Sequence, residues 1–131
     1  MLNELAKEIH ENAKAHGWWE ENRTFPEIVA LCHSELSEAL EEYRNGRPMV
    51  HCVNPDCEIL KSRGTTEDPC CNVCGFRDGK AKPEGIATEM ADCIIRILDW
   101  AGAEGIDMDA VIRAKMDYNK TRPYKHGGKV C

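Results

Sequence analysis

The sequence has no long apolar run and no excess of positive charge, and each absence excludes a class of protein. Crossing a bilayer takes roughly 20 consecutive apolar residues, and no stretch of the chain approaches that length. Its first residues also lack the cationic start and apolar centre of a secretory signal. Lys and Arg number 17 against 23 Asp and Glu, which gives a net charge of −6. The lack of a membrane span and of a secretory signal predicts a cytoplasmic protein with no membrane partner. Because attraction to phosphate backbones needs a basic surplus, the net charge argues against a nucleic-acid partner.

Hydrophobic periodicity predicts four helices. Apolar residues recur at helical spacing over 2–16, 24–44, 84–102 and 107–119, and no fixed-period repeat or low-complexity segment is present. Thr24, Pro26 and Glu27 have the pattern of a capping box with Pro in the first turn, and Asp107 is expected to cap the last helix. At 131 residues, the chain is expected to form a single all-α domain, residues 1–131, with one interruption.

That interruption is an insert, residues 48–82, between the second and third helices. Gly, Pro and Asp accumulate there, together with five of the eight cysteines. Two short cysteine turns suit the tetrahedral coordination of a structural Zn²⁺. A segment this short has too little core to fold alone, so zinc would supply most of its folding free energy. The predicted zinc ligands are Cys52, Cys57, Cys71 and Cys74.

The cysteine pattern leaves alternatives open. Cys70 could replace Cys71, and His51 is a weaker substitute ligand. Disulfides or unligated thiols would also account for the cysteines, although the cytosol keeps thiols reduced. Because basic and acidic residues nearly balance in the insert, a structural or substrate-covering role is favoured over a grip on nucleic acid. Cys32 and Cys93 lie on apolar helical stripes and are expected to be buried core thiols.

Two of the predicted helices carry acidic residues three positions apart, beside an apolar stripe. The pairs are Glu35 with Glu38 and Glu89 with Asp92. A lone pair of this kind is usually a solvated helix face, but two such helices side by side would gather four carboxylates. Hard oxygen ligands of this type suit Mg²⁺ or Mn²⁺. The stripes expected to face the core are Val29, Cys32, Leu36, Ala39 and Tyr43 on one helix, and Ile86, Met90, Cys93 and Ile97 on the other.

The end of the chain and one loop offer contacts for a phosphorylated ligand. Lys115 and Asn119 stand four apart on the last helix, whose side chains Met108, Val111, Ile112 and Met116 are expected to point inward. A merely solvated basic end is the alternative. In the first loop, the paired tryptophans could stack on a planar ligand or simply close the end of a core. The candidate ligand-binding residues are Trp18, Trp19, Lys115, Asn119, Arg122 and Lys125, with Lys129 beyond them.

The motif Ser34-Glu35-Leu36-Ser37-Glu38, followed by Glu89-Met90-Ala91-Asp92 and the basic region from Lys115, resembles the MazG-like branch of the all-α nucleoside triphosphate pyrophosphohydrolases. The resemblance covers essentially the whole chain except the insert. In that family the two acidic motifs stand closer together, and removal of residues 48–82 restores the usual gap. The family motif usually begins with two adjacent glutamates, and Ser34 occupies the first of those positions here. The implied fold is a four-helix MazG-like bundle with a small four-cysteine zinc-ribbon insert between helices 2 and 3.

The resemblance implies hydrolysis of a (deoxy)nucleoside triphosphate to the monophosphate and pyrophosphate, with water attacking the α-phosphorus. Glu35, Glu38, Glu89 and Asp92 would hold two or three Mg²⁺ or Mn²⁺ ions, with Glu35 or Glu38 accepting the proton of the water. Family members are dimers or tetramers with sites shared between subunits, which implies a homodimer or homotetramer here. The preferred base and sugar stay open. The alternative is a non-catalytic zinc-ribbon adaptor on a helical scaffold that binds nucleic acid or a protein.

Overall fold

A computed structural model describes residues 1–52 and 82–124, and these residues form an all-α arrangement of four helices with one short two-stranded sheet. The chain divides into two compact units. In the described residues, the terminal unit comprises 1–21 and 98–124, and the central unit comprises 22–52 and 82–97. No helix in these ranges is both long enough and apolar enough to cross a membrane. The elements are α1 (Leu2–Ala15), α2 (Phe25–Arg44), β1 (His51–Cys52), β2 (Pro83–Glu84), α3 (Ile86–Glu104) and α4 (Met108–Lys120).

Local capping signals set the starts of α2 and α4. The backbone N–H of Glu27 donates to Thr24 Oγ1 at 3.4 Å, and the backbone N–H of Thr24 donates to Glu27 Oε2 at 2.6 Å. These two bonds form the predicted capping box. Asp107 accepts from the backbone N–H of Ala110 at 2.9 Å, which confirms it as the N-cap of α4. Side chains close to each other in sequence therefore satisfy backbone groups that a helix start leaves unpaired.

The helix α3 begins later than predicted because a strand precedes it. The strand β2 pairs antiparallel with β1, with His51 opposite Glu84 and Cys52 opposite Pro83. This ladder lies at the two ends of the predicted insert. Residues 53–81 fall outside the described part of the chain, and the predicted ligands Cys57, Cys71 and Cys74 fall with them.

In the central unit, α2 buries only part of the predicted stripe, namely Ala39. Ile28, Glu35 and Ala39 are buried, whereas Leu36 is 42% exposed and Tyr43 is 69% exposed. The expectation that the whole apolar stripe faces the core is therefore wrong, because α2 is turned so that Glu35 points inward. The same correction applies to Val29 on α2 and to Met90 and Ile97 on α3, which are exposed. Of the two cysteines expected to be buried, Cys93 is buried and Cys32 is only half-buried.

In the terminal unit, alanine is buried on both α1 and α3, together with Leu98 of α3. Ala6 and Ala101 are buried. A Cβ atom on Gly102 would lie 2.7 Å from the backbone oxygen of Ala6, so the lack of a side chain at this position permits the close approach. Asp109 ties α4 to α1 by accepting from the backbone N–H groups of Leu2 and Asn3. Contrary to expectation, Val111, Ile112 and Met116 of α4 are exposed.

Candidate metal centre

Three of the four predicted carboxylates converge in the central unit. Glu35 and Glu38 of α2 and Glu89 of α3 each present one carboxylate oxygen, and these oxygens lie within 4.8 Å of one another. Glu35 is 5% exposed and Glu89 is 7% exposed, whereas Glu38 is exposed. We call these three residues the carboxylate cluster. Among the described residues, no other three potential ligand atoms come this close together.

A tight backbone junction fixes the helix start that carries Glu89. Gly85 has φ +113°, and a Cβ atom there would lie 2.7 Å from the backbone oxygens of both Pro48 and Met49. The Met49 oxygen accepts from the backbone N–H of Ala87 at 2.8 Å, and the Gly85 oxygen accepts from that of Glu89 at 3.1 Å. Since glycine alone adopts such a φ without strain, Gly85 sets the first turn of α3 and places Glu89 toward α2.

Burial and like charge act together on the carboxyl groups of α3. Burial, followed by the nearby charge of Glu38, raises the pKa of Glu89 to about 7. Burial and the charge of Glu35 also raise the pKa of Asp92. Both effects disfavour the ionised carboxylates in the absence of a cation. Asp92 is half-buried and stands outside the group of three oxygens that meet most closely.

The carboxylate cluster fits a hard divalent cation by the chemistry of its donors. Every donor is a carboxylate oxygen, the ligand type that Mg²⁺ and Mn²⁺ prefer. Two of the three side chains are buried, where a cation would offset repulsion that water screens poorly. The cluster therefore suits Mg²⁺ or Mn²⁺, and sulfur-seeking Zn²⁺ is better matched by the cysteines of the insert.

Arg96 is a charged residue of this site that the sequence analysis missed. Its Nε donates to Glu35 Oε1 at 2.5 Å. Arg96 stands four residues after Asp92 and seven after Glu89 on α3, a spacing that places all three on one helical face. This spacing in the sequence could have indicated that Arg96 lies beside the acidic residues. The guanidinium supplies a positive charge to the buried Glu35.

Ser34 and Glu42 make contacts away from the carboxylate cluster. Ser34 Oγ donates to the backbone oxygen of Leu31 at 2.8 Å, within its own helix. Glu42, seven residues after Glu35 on α2, lies 3.2 Å from His51 Nε2 through its Oε2 atom. His51 is buried, and its Nδ1 has no hydrogen-bond partner among the described residues. Glu42 therefore links α2 to strand β1.

The predicted phosphate-binding residues of the last helix lie in the terminal unit. Lys115 and Asn119 are exposed on α4, and Arg122 is exposed just after it. Lys115 Nζ lies 5.2 Å from the centre of the Tyr118 ring, within range of a cation–π contact. Lys125 falls outside the described residues.

The two predicted stacking residues differ in their surroundings. Trp18 is 58% exposed, whereas Trp19 is half-buried. Trp19 Nε1 donates to both carboxylate oxygens of Asp99 at 3.0 Å. His10 Nδ1 lies 2.8 Å from Asp99 Oδ1, and the His10 and Trp19 rings meet edge to face at 5.1 Å. This group in the terminal unit, which sequence reasoning missed, gives Trp19 a structural anchor.

Comparisons of the chain with protein-family models, with curated proteins and with solved structures found no match.

Proposed function

We propose that the protein hydrolyses a (deoxy)nucleoside triphosphate to the monophosphate and pyrophosphate, in a reaction that depends on Mg²⁺ or Mn²⁺. The observation that carries this proposal is the convergence of Glu35, Glu38 and Glu89, whose carboxylate oxygens lie within 4.8 Å of one another. The MazG-like pattern of the acidic motifs supplies the reaction class. In this proposal the four helices form a MazG-like bundle, and Asp92 joins the other carboxylates as a ligand.

The metal, when bound, would neutralise triphosphate charge and activate water for attack on the α-phosphorus. Glu35, Glu38, Glu89 and Asp92 would hold two or three ions. Glu38 is the better candidate for proton acceptor, because it is exposed, whereas Glu35 is buried and accepts a hydrogen bond from Arg96. The Glu35 oxygen that accepts from Arg96 is already engaged, which leaves Glu35 less available to a water molecule.

Substrate contacts are assigned to the basic residues and to the aromatic loop. Lys115, Asn119, Arg122 and Lys125 would contact phosphates and sugar, and Trp18 would cover the base. Trp19 is the weaker candidate, because it is half-buried, whereas Trp18 is 58% exposed. We assign no preferred base or sugar.

We further propose a homodimer or homotetramer with sites shared between subunits. Exposed apolar side chains at 29, 36, 40 and 43 form one stripe along α2. Met90, Ile94 and Ile97 form a comparable exposed stripe on α3. Contiguous exposed apolar surface is typical of a site that contacts another protein. The insert is proposed to be a zinc ribbon held by its four cysteines, with a structural or substrate-covering role.

Product analysis tests the proposed reaction. The protein is incubated with a panel of NTPs and dNTPs in the presence of Mg²⁺, and the products are separated and identified. We expect monophosphate and pyrophosphate. Substitution Glu38→Gln should lower kcat by about 100-fold or more, because a general base contributes at least that much. Ranking the panel by kcat/KM would identify the substrate.

The matched control is Glu41→Gln, an equally conservative change at an exposed position of the same helix and outside the carboxylate cluster. It should leave kcat unchanged. Release of diphosphate and inorganic phosphate would contradict attack on the α-phosphorus. Absence of hydrolysis across the panel, together with salt-sensitive binding to DNA or RNA, would favour the adaptor alternative.

A further inference from the structure

Arg96 places a permanent positive charge beside a site that suits a metal. Its Nε–H donates to Glu35 Oε1 at 2.5 Å, and the Glu35 side chain is 7% exposed. A guanidinium stays protonated under all ordinary conditions. Arg96 is therefore an internal cation that competes with any divalent ion for the same carboxylate.

Most of the hydrogen-bonding capacity of Arg96 is unused. A guanidinium carries five N–H donors in a planar fork, and the contact with Glu35 uses the one on Nε. Within residues 1–52 and 82–124, the four Nη hydrogens have no acceptor. The side chain is 31% exposed, so Arg96 is partly accessible to a ligand.

We propose that Arg96 binds phosphate oxygens of the substrate and of the pyrophosphate product. This inference rests on the proposed function. When Glu35 is engaged by a divalent cation, the guanidinium of Arg96 donates instead to the anion at the same site. The planar fork matches two phosphate oxygens at once, whereas a lysine would act only as a point charge. Arg96 thus keeps the cation-free site partly neutral and contacts the leaving group after the cation has bound.

This role predicts effects of opposite sign on metal and on anion binding. Loss of the charge at position 96 removes a competitor for Glu35, so the cation should bind more tightly. The same loss removes donors to phosphate, so pyrophosphate should bind more weakly. If Arg96 acted only to hold Glu35 in place, its loss would weaken the cation site and, through it, pyrophosphate binding.

Isothermal titration calorimetry on the full chain, without nucleotide, separates these cases. Mg²⁺ is titrated first, and micromolar pyrophosphate is then titrated at saturating Mg²⁺. For Arg96→Gln we expect Mg²⁺ affinity to rise by about twofold or more and pyrophosphate affinity to fall by about tenfold or more. Arg96→Lys, which keeps the charge, should leave Mg²⁺ affinity near that of the wild type and weaken pyrophosphate by about threefold.

Arg44→Gln is the matched control, because Arg44 is an exposed arginine in the last turn of α2. It should change neither affinity. Thermal unfolding followed by circular dichroism checks that each variant is folded. If Arg96→Gln is not folded, Arg96→Lys provides the test of pyrophosphate binding. Unchanged pyrophosphate affinity in a folded Arg96 variant would overturn the inference, as would a parallel loss of Mg²⁺ and pyrophosphate affinity in Arg96→Gln.

Failure of the inference and failure of the proposed function give different results. A wild-type protein that binds Mg²⁺ and pyrophosphate through Arg96 but hydrolyses no nucleotide would contradict the proposed function alone. A wild-type protein that hydrolyses a nucleoside triphosphate, with the same pyrophosphate affinity in all variants, would contradict the inference alone.

Discussion

A carboxylate oxygen of Glu89 lies within 4.8 Å of one from Glu38, although residues 39–88 separate the two in sequence. The first turn of α3 makes this meeting possible, because Gly85 fixes the start of that helix against the backbone of Pro48 and Met49. Burial, together with repulsion from the nearby Glu38, disfavours the ionised state of Glu89. The stability of the cation-free protein should therefore depend on the protonation of Glu89.

Substitution Glu89→Gln should stabilise the cation-free protein above neutral pH. The pKa of Glu89 is raised from 4.5 to about 7 by burial and by the neighbouring carboxylates. The stability that protonated Glu89 contributes is thus fully present below pH 4.5 and is lost as the pH rises through 7. Gln stands in for the protonated acid and does not titrate. We expect the free energy of unfolding of Glu89→Gln to exceed that of the wild type by about 1–3 kcal/mol at pH 8. At pH 4 the two values should be equal.

Urea unfolding at several pH values, without added divalent cations, measures this difference. Added Mg²⁺ should stabilise the wild type at pH 8 more than it stabilises Glu89→Gln, because the variant lacks one carboxylate ligand. Glu41→Gln, at an exposed position of α2, is the control and should follow the wild type at each pH. Parallel stability curves for Glu89→Gln and the wild type would contradict the assigned shift.

The sequence predicted the helices well because the signals that start them are local. Thr24 with Glu27, and Asp107 with Ala110, act within one turn, so their spacing in the sequence is also their spacing in the structure. The acidic pairs were predicted for the same reason, since residues three apart share a helical face.

Which stripe faces inward could not be predicted from periodicity. Leu36 is apolar but exposed, and Glu35 beside it is buried, because the contact that compensates Glu35 comes from Arg96 on another helix. Residues 36–95 separate that pair, and hydrophobic periodicity carries no information about such partners. Exposed apolar stripes compound the difficulty, because a helix with apolar residues on two faces has no unique inward side.

The four proposed cysteine ligands of the insert predict that the purified protein contains zinc in a fixed ratio to the chain. We expect about one Zn²⁺ per chain in purified protein, measured by inductively coupled plasma mass spectrometry. Cys57→Ser and Cys74→Ser should each lose most of this zinc, because a closed site needs all four ligands. Cys32→Ser is the control: Cys32 is a free cysteine on α2 and should not affect the content. Retention of zinc by Cys57→Ser would contradict the assigned ligand set, and comparison of Cys70→Ser with Cys71→Ser would identify which of those residues binds.

Asp99 should be important for the stability of the terminal unit. It accepts from Trp19 Nε1 at 3.0 Å and lies 2.8 Å from His10 Nδ1. Substitution Asp99→Ala leaves both partly buried partners without this acceptor, which should cost about 1–3 kcal/mol. Urea unfolding measures the cost, and Glu104→Ala, at an exposed position of the same helix, should cost far less. Equal stability of the two variants would show that Trp19 is not anchored through Asp99.

Gly102→Ala should destabilise the protein, although helix propensity alone predicts the opposite. Alanine is favoured over glycine in a helix interior by about 1 kcal/mol, and Gly102 lies inside α3. A Cβ atom there, however, would lie 2.7 Å from the backbone oxygen of Ala6 and 2.9 Å from His10 Cβ. Since α1 must shift to admit the methyl group, we expect a loss of about 1–3 kcal/mol.

Gly105→Ala is the comparison that separates crowding from backbone strain. Gly105 has φ +65° and no heavy atom within 4 Å of a Cβ position, so alanine there is strained but not crowded, at a cost of about 1 kcal/mol. Gly102 has no such φ. A loss of stability in Gly102→Ala would therefore come from the clash with α1 and not from backbone strain. Replacement of Ala6 does not remove the clash, since the nearest atom belongs to the backbone. A rise in stability for Gly102→Ala would contradict the close approach of Gly102 to the backbone of Ala6.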